Sequence, residues 1–400
     1  MHARFIQWTK YLQPILGHNN FMKLLQRLIV TFLTIFATQI SWSENGVSKS
    51  SILIGQSITL QGGKNDYGLA VMAGIETHLN DINSKGGIYG RQIILKTLDD
   101  DNKSDKAEAN VRELITKDKA FIIFGSIEGG PSTAVMKVTN ELKIPFFGPM
   151  AGSPTLRRPH QPLVFPVRTE HREEFRAMLK QAKSLGISKV AFLRSDSEVG
   201  QQHLANVKLI CEDLGMQFVL DMPFKSDVSD AQLTGLTQQI EQSGAQMVIN
   251  HGSVGIYEKF IRKLHDKGGV HPAIYAVNSG SAQMAKHLGT LAQGIIFSQV
   301  VPSPWEKKTA VTREYQEAFK RIKPNQDFSY GSLEGYITAK ALVLALRQAG
   351  PNLTRESFVK GLSNASFDLN DIKVVYKPND HVGSSFVDLS IVNREGRFMH

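Results

Sequence analysis

The sequence contains very little cysteine, since Cys211 is the only one among 400 residues. A disulfide within the chain is therefore excluded, and so is a metal site built on several cysteines. Cys211 falls in the stretch "GQQHLANVKLICEDLG", whose apolar residues recur at helical spacing. The pattern predicts a structural cysteine on the buried face of a helix.

Clusters of basic residues are also absent, although the formal net charge is +9. The first 43 residues contain Arg4, Lys10, Lys23 and Arg27 and no acid, so four of the nine charges belong there and the remainder carries +5. No block of Lys and Arg is interleaved with aromatic residues, which argues against a nucleic-acid binder. The length predicts two globular domains.

Long apolar runs are absent except near the N-terminus. Residues 28–40 carry no charge, follow two basic residues, and precede the small residues Ser41 and Ser43. This pattern predicts a secretory signal over residues 1–43, with Met22 as an alternative start. The run is shorter than the roughly 20 apolar residues of a membrane span. An uncleaved anchor is the competing interpretation, and the mature chain is expected to be exported.

Sequence motifs typical of enzymes are missing too. The chain has no G-x-S-x-G elbow, no H-E-x-x-H pair and no G-x-G-x-x-G after its first predicted strand. Gly125 and Gly130 have the spacing of a phosphate loop, but Pro131 stands where the lysine belongs. The histidines are scattered, and His251, after a predicted strand, is either a pocket residue or a structural one. The acidic run 99–101 lacks EF-hand spacing. We therefore predict no catalytic residue, no cofactor and no metal site.

What the sequence does contain is a regular alternation of apolar, β-rich runs with amphipathic helical spacing from Ser51 onward. Such alternation predicts βαβ units with mostly parallel sheets, hence the α/β class. Proline-rich extended stretches at 157–169 and 297–308 interrupt it and predict crossovers between two lobes. After the second crossover, helices are predicted at about 306–322, 330–348 and 354–362.

Several predicted strands end in small or polar residues, in the stretches "GSIEGGPS", "GPMAGSP", "RSDSEVG", "NHGSVG" and "AVNSGS". In open α/β sheets, ligands bind beyond the carboxyl ends of the strands, where helix N-termini offer N–H groups to anions. The alternative is that these glycines only form tight turns. Repetition of the pattern, together with the two crossovers, favours a ligand-binding cleft between lobes.

Four stretches occur in the order found in one known family: "HLNDINSKGGIYGRQIILKTLDDDNKSDKAEANVRELI", "ELKIPFFGPMAGSPTL", "SKVAFLRSDSEVGQQ" and "FSYGSLEGYITAKALVLAL". With them, the chain from about Ser51 to Val392 resembles the type I periplasmic solute-binding proteins, specifically the leucine/isoleucine/valine-binding class of ABC importers. The resemblance implies two doubly wound parallel-sheet lobes joined by three crossovers, the third near residues 362–370. It implies a first lobe of 51–168 plus 301–362 and a second lobe of 169–300 plus 363–400.

The same resemblance implies a function without catalysis. A monomer in the periplasm of a Gram-negative bacterium would capture a small polar or carboxylate-bearing solute, amino-acid-like or a related organic acid or amide. It would deliver that solute to a membrane permease driven by a cytoplasmic ATPase. The alternative is a periplasmic sensor that signals to a separate membrane receptor.

Nine pocket positions follow from the resemblance. Gly129 replaces a serine that often holds the ligand carboxylate, and Gly152 replaces a threonine. Val199 and Ser253 stand where aromatic residues are common. The full set is Tyr67, expected to wall the ligand, with Gly129, Gly130, Met150, Gly152, Ser153, Val199, Ser253 and Asn278.

Asn278 matches a position that supplies an acid to the ligand ammonium in amino-acid binders. A buried ammonium without a counter-charge costs several kcal/mol. We therefore hypothesise that the ligand is not a standard α-amino acid, or that another acid holds its amine. Glu128 is close enough in sequence to the first binding loop to serve as that acid.

Overall fold

The computed structural model describes residues 44–61, 65–225, 227–252, 254–268, 271–277 and 280–400. The predicted signal, residues 1–43, lies outside these ranges, as do Ser253 and Asn278. None of the helices in the described part of the chain is long and apolar enough to cross a bilayer.

Helices and strands alternate along the described chain, as predicted. The strands are β1 (Ser51–Ile58), β2 (Gln92–Asp99), β3 (Ile122–Phe124), β4 (Phe146–Phe147), β5 (Val164–Phe165), β6 (Lys189–Ser195), β7 (Gln217–Phe224), β8 (Met247–His251), β9 (Ala273–Ala276), β10 (Ile296–Gln299), β11 (Ser366–Asp368), β12 (Lys373–Lys377), β13 (Asp380–Ser384), β14 (Asp388–Val392) and β15 (Phe398–Met399). The helices are α1 (Asn65–Ser84), α2 (Ser104–Thr116), α3 (Gly129–Glu141), α4 (His171–Ser184), α5 (Glu198–Leu214), α6 (Asp230–Ser243), α7 (Val254–Asp266), α8 (Ser281–Leu288), α9 (Ala310–Ile322), α10 (Tyr330–Gln348) and α11 (Arg355–Leu362).

The first lobe is centred on a parallel sheet with the strand order β2-β1-β3-β4-β5. Successive residues of a strand point to opposite faces. Accordingly, Ile122 and Phe124 belong to one buried cluster, while Ile123 belongs to another. Apolar clusters on both faces explain why β3 reads as an unbroken apolar run, since helices cover the sheet on both sides.

The second lobe is centred on a sheet with the order β15-β14-β10-β9-β8-β6-β7. The strands β6 to β10 pair in parallel, and β14 and β15 are added antiparallel at the β10 edge. Ala191 and Leu193 pack on one face of this sheet, and Val190 and Phe192 on the other. Two parallel-sheet lobes, each covered on both faces, confirm the predicted fold class.

The chain passes between the two sheets three times: after β5, after β10, and between β13 and β14. The small antiparallel sheet β11-β12-β13 packs with the first lobe, because Val374 and Tyr376 belong to its core and the Ser384 N–H donates to the Val167 carbonyl at 2.8 Å. The boundary that we predicted at residue 362 therefore differs from the observed third passage, which lies after residue 384.

Local signals account for several helix bounds. The prediction for α10 agrees with the structure at both ends, and Ser329 begins it with a capping box. Helix α9 starts later than predicted, because the Thr309 side chain caps it by accepting the Thr312 N–H. Cys211 is buried on α5, as predicted, and burial raises the pKa of its thiol to about 11.

Candidate functional site

A cavity of about 450 Å³ lies where the carboxyl ends of the two central sheets meet. In each sheet it lies beside the point where the strand order reverses, between β1 and β3 in the first lobe and between β6 and β8 in the second. This is the position at which open α/β sheets bind ligands. Five of the nine predicted pocket residues line it: Gly129, Gly130, Met150, Ser153 and Val199.

The first wall is the turn that leads from β3 into α3. Glu128 precedes the helix at φ 65° and ψ 146°, a conformation that side-chain-bearing residues rarely adopt and that is strained by about 1–3 kcal/mol. Helix α3 then begins at Gly129, and the first N–H groups of a helix have no acceptor within it. A Cβ on Gly129 would lie 3.7 Å from Ser153 Cβ and from Val199 Cγ1, so both lobes are in reach of this glycine.

A chain of hydroxyl groups connects the two binding loops of the first lobe. Thr133 Oγ1 donates to the Gly129 carbonyl at 2.7 Å and lies 2.8 Å from Thr155 Oγ1. Thr155 Oγ1 lies 2.8 Å from Ser153 Oγ, and Ser153 is buried. The Ser153 hydroxyl is therefore positioned by the helix that carries Gly129.

The second loop follows β4 and is fixed to the first by its backbone. The Met150 N–H donates to the Ser126 carbonyl at 2.7 Å, and the His171 N–H donates to the Gly152 carbonyl at 3.0 Å. A Cβ on Gly152 would lie only 2.6 Å from the His171 ring. His171 thus occupies the space that the expected threonine side chain at 152 would need.

The second lobe contributes an apolar wall. Val199 lies in the first turn of α5, which begins at Glu198 and whose N-terminus is capped by Ser197 through a 3.1 Å bond from the Gly200 N–H. Phe224 and Ile256 line the same cavity. Phe224, which sequence reasoning missed, supplies an aromatic ring in a lobe where we expected Val199 and Ser253 to have replaced the aromatic residues.

Tyr67 is not among the described residues that line this cavity. Its hydroxyl donates to Glu334 Oε2 at 2.8 Å, and its ring packs near Gly331 of α10. Burial, together with Glu334, raises the pKa of the Tyr67 hydroxyl well above its usual value. Its predicted role as a wall of the ligand site stays a prediction.

A buried ion network connects the two lobes beside the cavity. Arg168 at the first crossover lies 2.5 Å from Glu174 of the second lobe and 3.8 Å from Glu334 of the first. Burial alone would raise the pKa of Glu174, but Arg168, His171 and Ser298 outweigh it and lower that pKa to about 2. Glu174 is therefore a carboxylate at neutral pH.

Three histidines meet in the second lobe at the cavity: His171, His203 and His251. One ring nitrogen of each lies within 4.8 Å of those of the other two. Sequence reasoning named only His251, because these residues are far apart in the chain. A signal was nevertheless present, since each lies near the start of a helix or the end of a strand at the carboxyl edge of the sheet.

Ser253 and Asn278 lie outside the described residues, so their predicted roles stay predictions. The acidic run that suggested a metal makes internal bonds instead: Asp99 accepts the N–H groups of Leu60 and Asp101.

Comparison with known proteins agrees with this geometry. Residues 51–396 match the family model described as "Periplasmic binding protein". A curated relative, Leu/Ile/Val-binding protein homolog 7 of Brucella abortus, is 24% identical over 289 residues, which are 69% of this chain and 71% of the relative.

Solved structures show the same fold. A possible leucine/isoleucine/valine-binding protein from Rhodopirellula baltica superposes with a TM-score of 0.80 at 24% identity, covering 88% of this chain and 96% of that one. A fatty acid ABC transporter substrate-binding protein from Thermomonospora curvata gives 0.78 at 18% identity, covering 89% and 92%. The chain therefore belongs to the periplasmic binding protein family, whose members bind solutes, and its fold is that of type I members.

Proposed function

We propose that this member of the periplasmic binding protein family is the solute-capturing component of an ABC importer. In the periplasm it would bind a small polar or carboxylate-bearing solute in the cleft between its lobes and deliver it to a membrane permease coupled to a cytoplasmic ATPase. The observation that carries the proposal is the cavity that both lobes line at the switch points of their sheets. Two relatives that bear names of transport or amino-acid binding support it.

The first-lobe wall favours an anionic or polar group of the solute. Helix α3 presents its N-terminus at Gly129 and Gly130, and a helix N-terminus favours negative charge through its N–H groups and its dipole. Pro131 is compatible with this position, because a proline in the first turn removes an N–H that the helix does not use. Ser153 adds a buried hydroxyl nearby. A carboxylate could be held there without a lysine.

The opposite end of the solute decides its class. Asn278 carries no charge, so an ammonium would need an acid at the cavity wall. Glu108, Glu128 and Glu198 line the cavity, and Glu128 is the one that directly precedes Gly129 of the first binding loop. Our proposal is that the solute lacks the α-ammonium of a standard amino acid, or that Glu128 balances it. The apolar side chains of Val199, Phe224 and Ile256 fit a solute with an aliphatic part.

The test is identification of the solute by native mass spectrometry of the purified chain, followed by calorimetric titration with leucine, isoleucine, valine and the identified molecule. We expect one solute per chain. Micromolar binding of all three amino acids, unchanged in Glu128→Gln, would refute the proposed solute class. Failure to bind any solute across a broad panel would refute the proposed function.

A matched pair of variants locates the site. Gly129→Leu places a side chain in the cavity and should abolish solute binding. Gly235→Leu changes a helical glycine with no atom within 4 Å of its added Cβ, and should leave binding intact. Equal binding by both variants would place the solute elsewhere.

A further inference from the structure

The three histidines at the cavity form a cluster that the proposed solute site does not require. The ring centroids of His203 and His251 are 4.2 Å apart, and those of His171 and His251 are 4.7 Å apart. All three belong to the second lobe, on α4, α5 and β8, so the cluster does not depend on how the lobes close. The rings also pack on Phe175.

His203 is the informative member, because it is completely buried and neither of its ring nitrogens has a hydrogen-bond partner. Burying a polar group without such a partner is unfavourable by about 1–3 kcal/mol. A phenylalanine would fill an aromatic core without that penalty. Burial and the two neighbouring histidines also hold the pKa of His203 well below its usual value, so its ring is neutral and has a lone pair to donate.

His171 has the arrangement typical of a metal-bound histidine. Its Nδ1 lies 2.8 Å from Glu174 Oε1, which leaves Nε2 as the nitrogen with a lone pair. Metal ligands of this type usually donate their other ring N–H to a carboxylate, which fixes the ring and raises its basicity. Glu174 is held in turn by Arg168 at 2.5 Å and by the Ser298 hydroxyl at 2.6 Å. The ring of His171 is therefore oriented by a buried network.

We propose that His171, His203 and His251 bind one divalent transition metal ion of the zinc class at the wall of the cleft. Imidazole suits Zn²⁺, Cu²⁺ and Ni²⁺, and three protein ligands leave a fourth position open to the cavity. The Zn–N distance of about 2.0–2.1 Å places two nitrogens of a tetrahedral site about 3.4 Å apart. From at most 4.8 Å, the nitrogens need to approach by no more than about 1.4 Å, which small side-chain rotations can supply.

This inference goes beyond the proposed function, because it rests on the histidines and not on the identity of the solute. The fourth position would hold a water molecule or an oxygen atom of the solute. A carboxylate-bearing solute would gain a charged ligand from the metal, in addition to the helix N-terminus at Gly129.

The experiment treats the purified chain with EDTA, dialyses it, and titrates it with ZnCl₂ by calorimetry at neutral pH. We expect one zinc per chain with at least micromolar affinity, and no heat with MgCl₂. In His203→Phe, which keeps a ring of similar shape, zinc binding should weaken at least 50-fold. His265→Phe alters an exposed histidine away from the cluster and should bind as the native chain does.

Substitution by Co²⁺ provides a second measurement, because a tetrahedral three-histidine site gives an intense visible spectrum that surface binding does not. His251→Phe tests the cluster independently if His203→Phe fails to fold. Absence of stoichiometric zinc, or zinc retained at native affinity by either folded variant, would overturn the proposal. Zinc binding without any detectable solute would leave the metal site standing and count only against the importer role.

Discussion

The Nδ1 atom of His171 lies 2.8 Å from Oε1 of Glu174, and both side chains are buried. Glu174 also contacts Arg168, which lies between the two lobes. The orientation of a ring at the cavity wall is therefore tied to the ion network at the first crossover. A change in either is expected to affect both the stability of the fold and the properties of the cleft.

Removal of the Glu174 charge should destabilise the chain strongly. Glu174→Gln leaves the buried Arg168 without its nearest counter-charge, and breaking a buried pair in this way costs about 3–5 kcal/mol. The measurement is the free energy of unfolding in urea. Glu173→Gln is the control: it removes a half-exposed partner of Arg172 and should change stability by less than about 1 kcal/mol. Similar losses in the two variants would contradict the importance of the buried network.

The pH dependence of stability should depend on His203. Its pKa is lowered on folding, so below pH 6.5 the unfolded chain takes up a proton that the native chain does not. Stability is therefore present above that pH and is lost as pH falls, by about 1.4 kcal/mol per unit. Urea unfolding in EDTA at pH 7 and pH 5 should show a smaller loss of unfolding free energy for His203→Phe than for the native chain. His265→Phe should keep the native dependence of the unfolding free energy on pH. The same dependence in His203→Phe would disprove that His203 causes it.

The two glycines of the binding loops should respond differently to a methyl group. Gly152→Ala places a Cβ 2.6 Å from the His171 ring, and overpacking of this kind costs about 1–3 kcal/mol. Gly129→Ala meets nothing closer than 3.7 Å and should change stability by less than about 1 kcal/mol. Thermal unfolding of both variants makes the comparison. A tolerated Gly152→Ala would show that His171 can leave its position.

Glu128 should matter only for solutes that carry a positive charge. If it balances an ammonium, Glu128→Gln should weaken binding of that solute about 10- to 100-fold, which corresponds to about 1.4–2.7 kcal/mol. Binding of an uncharged analogue should not change. Glu108→Gln, another acid at the cavity, is the control, and equal losses in both variants would point to general charge and not to a specific contact.

Much of the fold could be predicted because periodicity is a local property. The alternation of strand and helix patterns specified the α/β class, and the helical pattern predicted at residues 330–348 agrees with the bounds of α10. The position of the third passage between the lobes, after residue 384, could not be predicted in this way. Residues 366–384 form a small antiparallel sheet whose apolar side chains fit either lobe by pattern, and only packing against the first-lobe core decided between them.

Part of the candidate site could be predicted for the same reason. Strand-end loops are visible in sequence, and the family resemblance predicted Gly129, Gly130, Met150, Ser153 and Val199 within them as pocket residues. The structure brings these five residues to one cavity. The close packing of the His171 ring against Gly152 could not be predicted, because the two residues meet through space and not along the chain.

The sequence by itself determined the order of the elements, the burial of Cys211 and the loops that follow the strands, since each depends on residues that are neighbours in the chain. Only the tertiary structure decided which side chains meet. His171, His203 and His251 lie on three different elements, α4, α5 and β8, and the fold brings them together at the carboxyl edge of the parallel strands. The same packing buries His203 without a hydrogen-bond partner, a property that depends on surroundings contributed by distant parts of the chain.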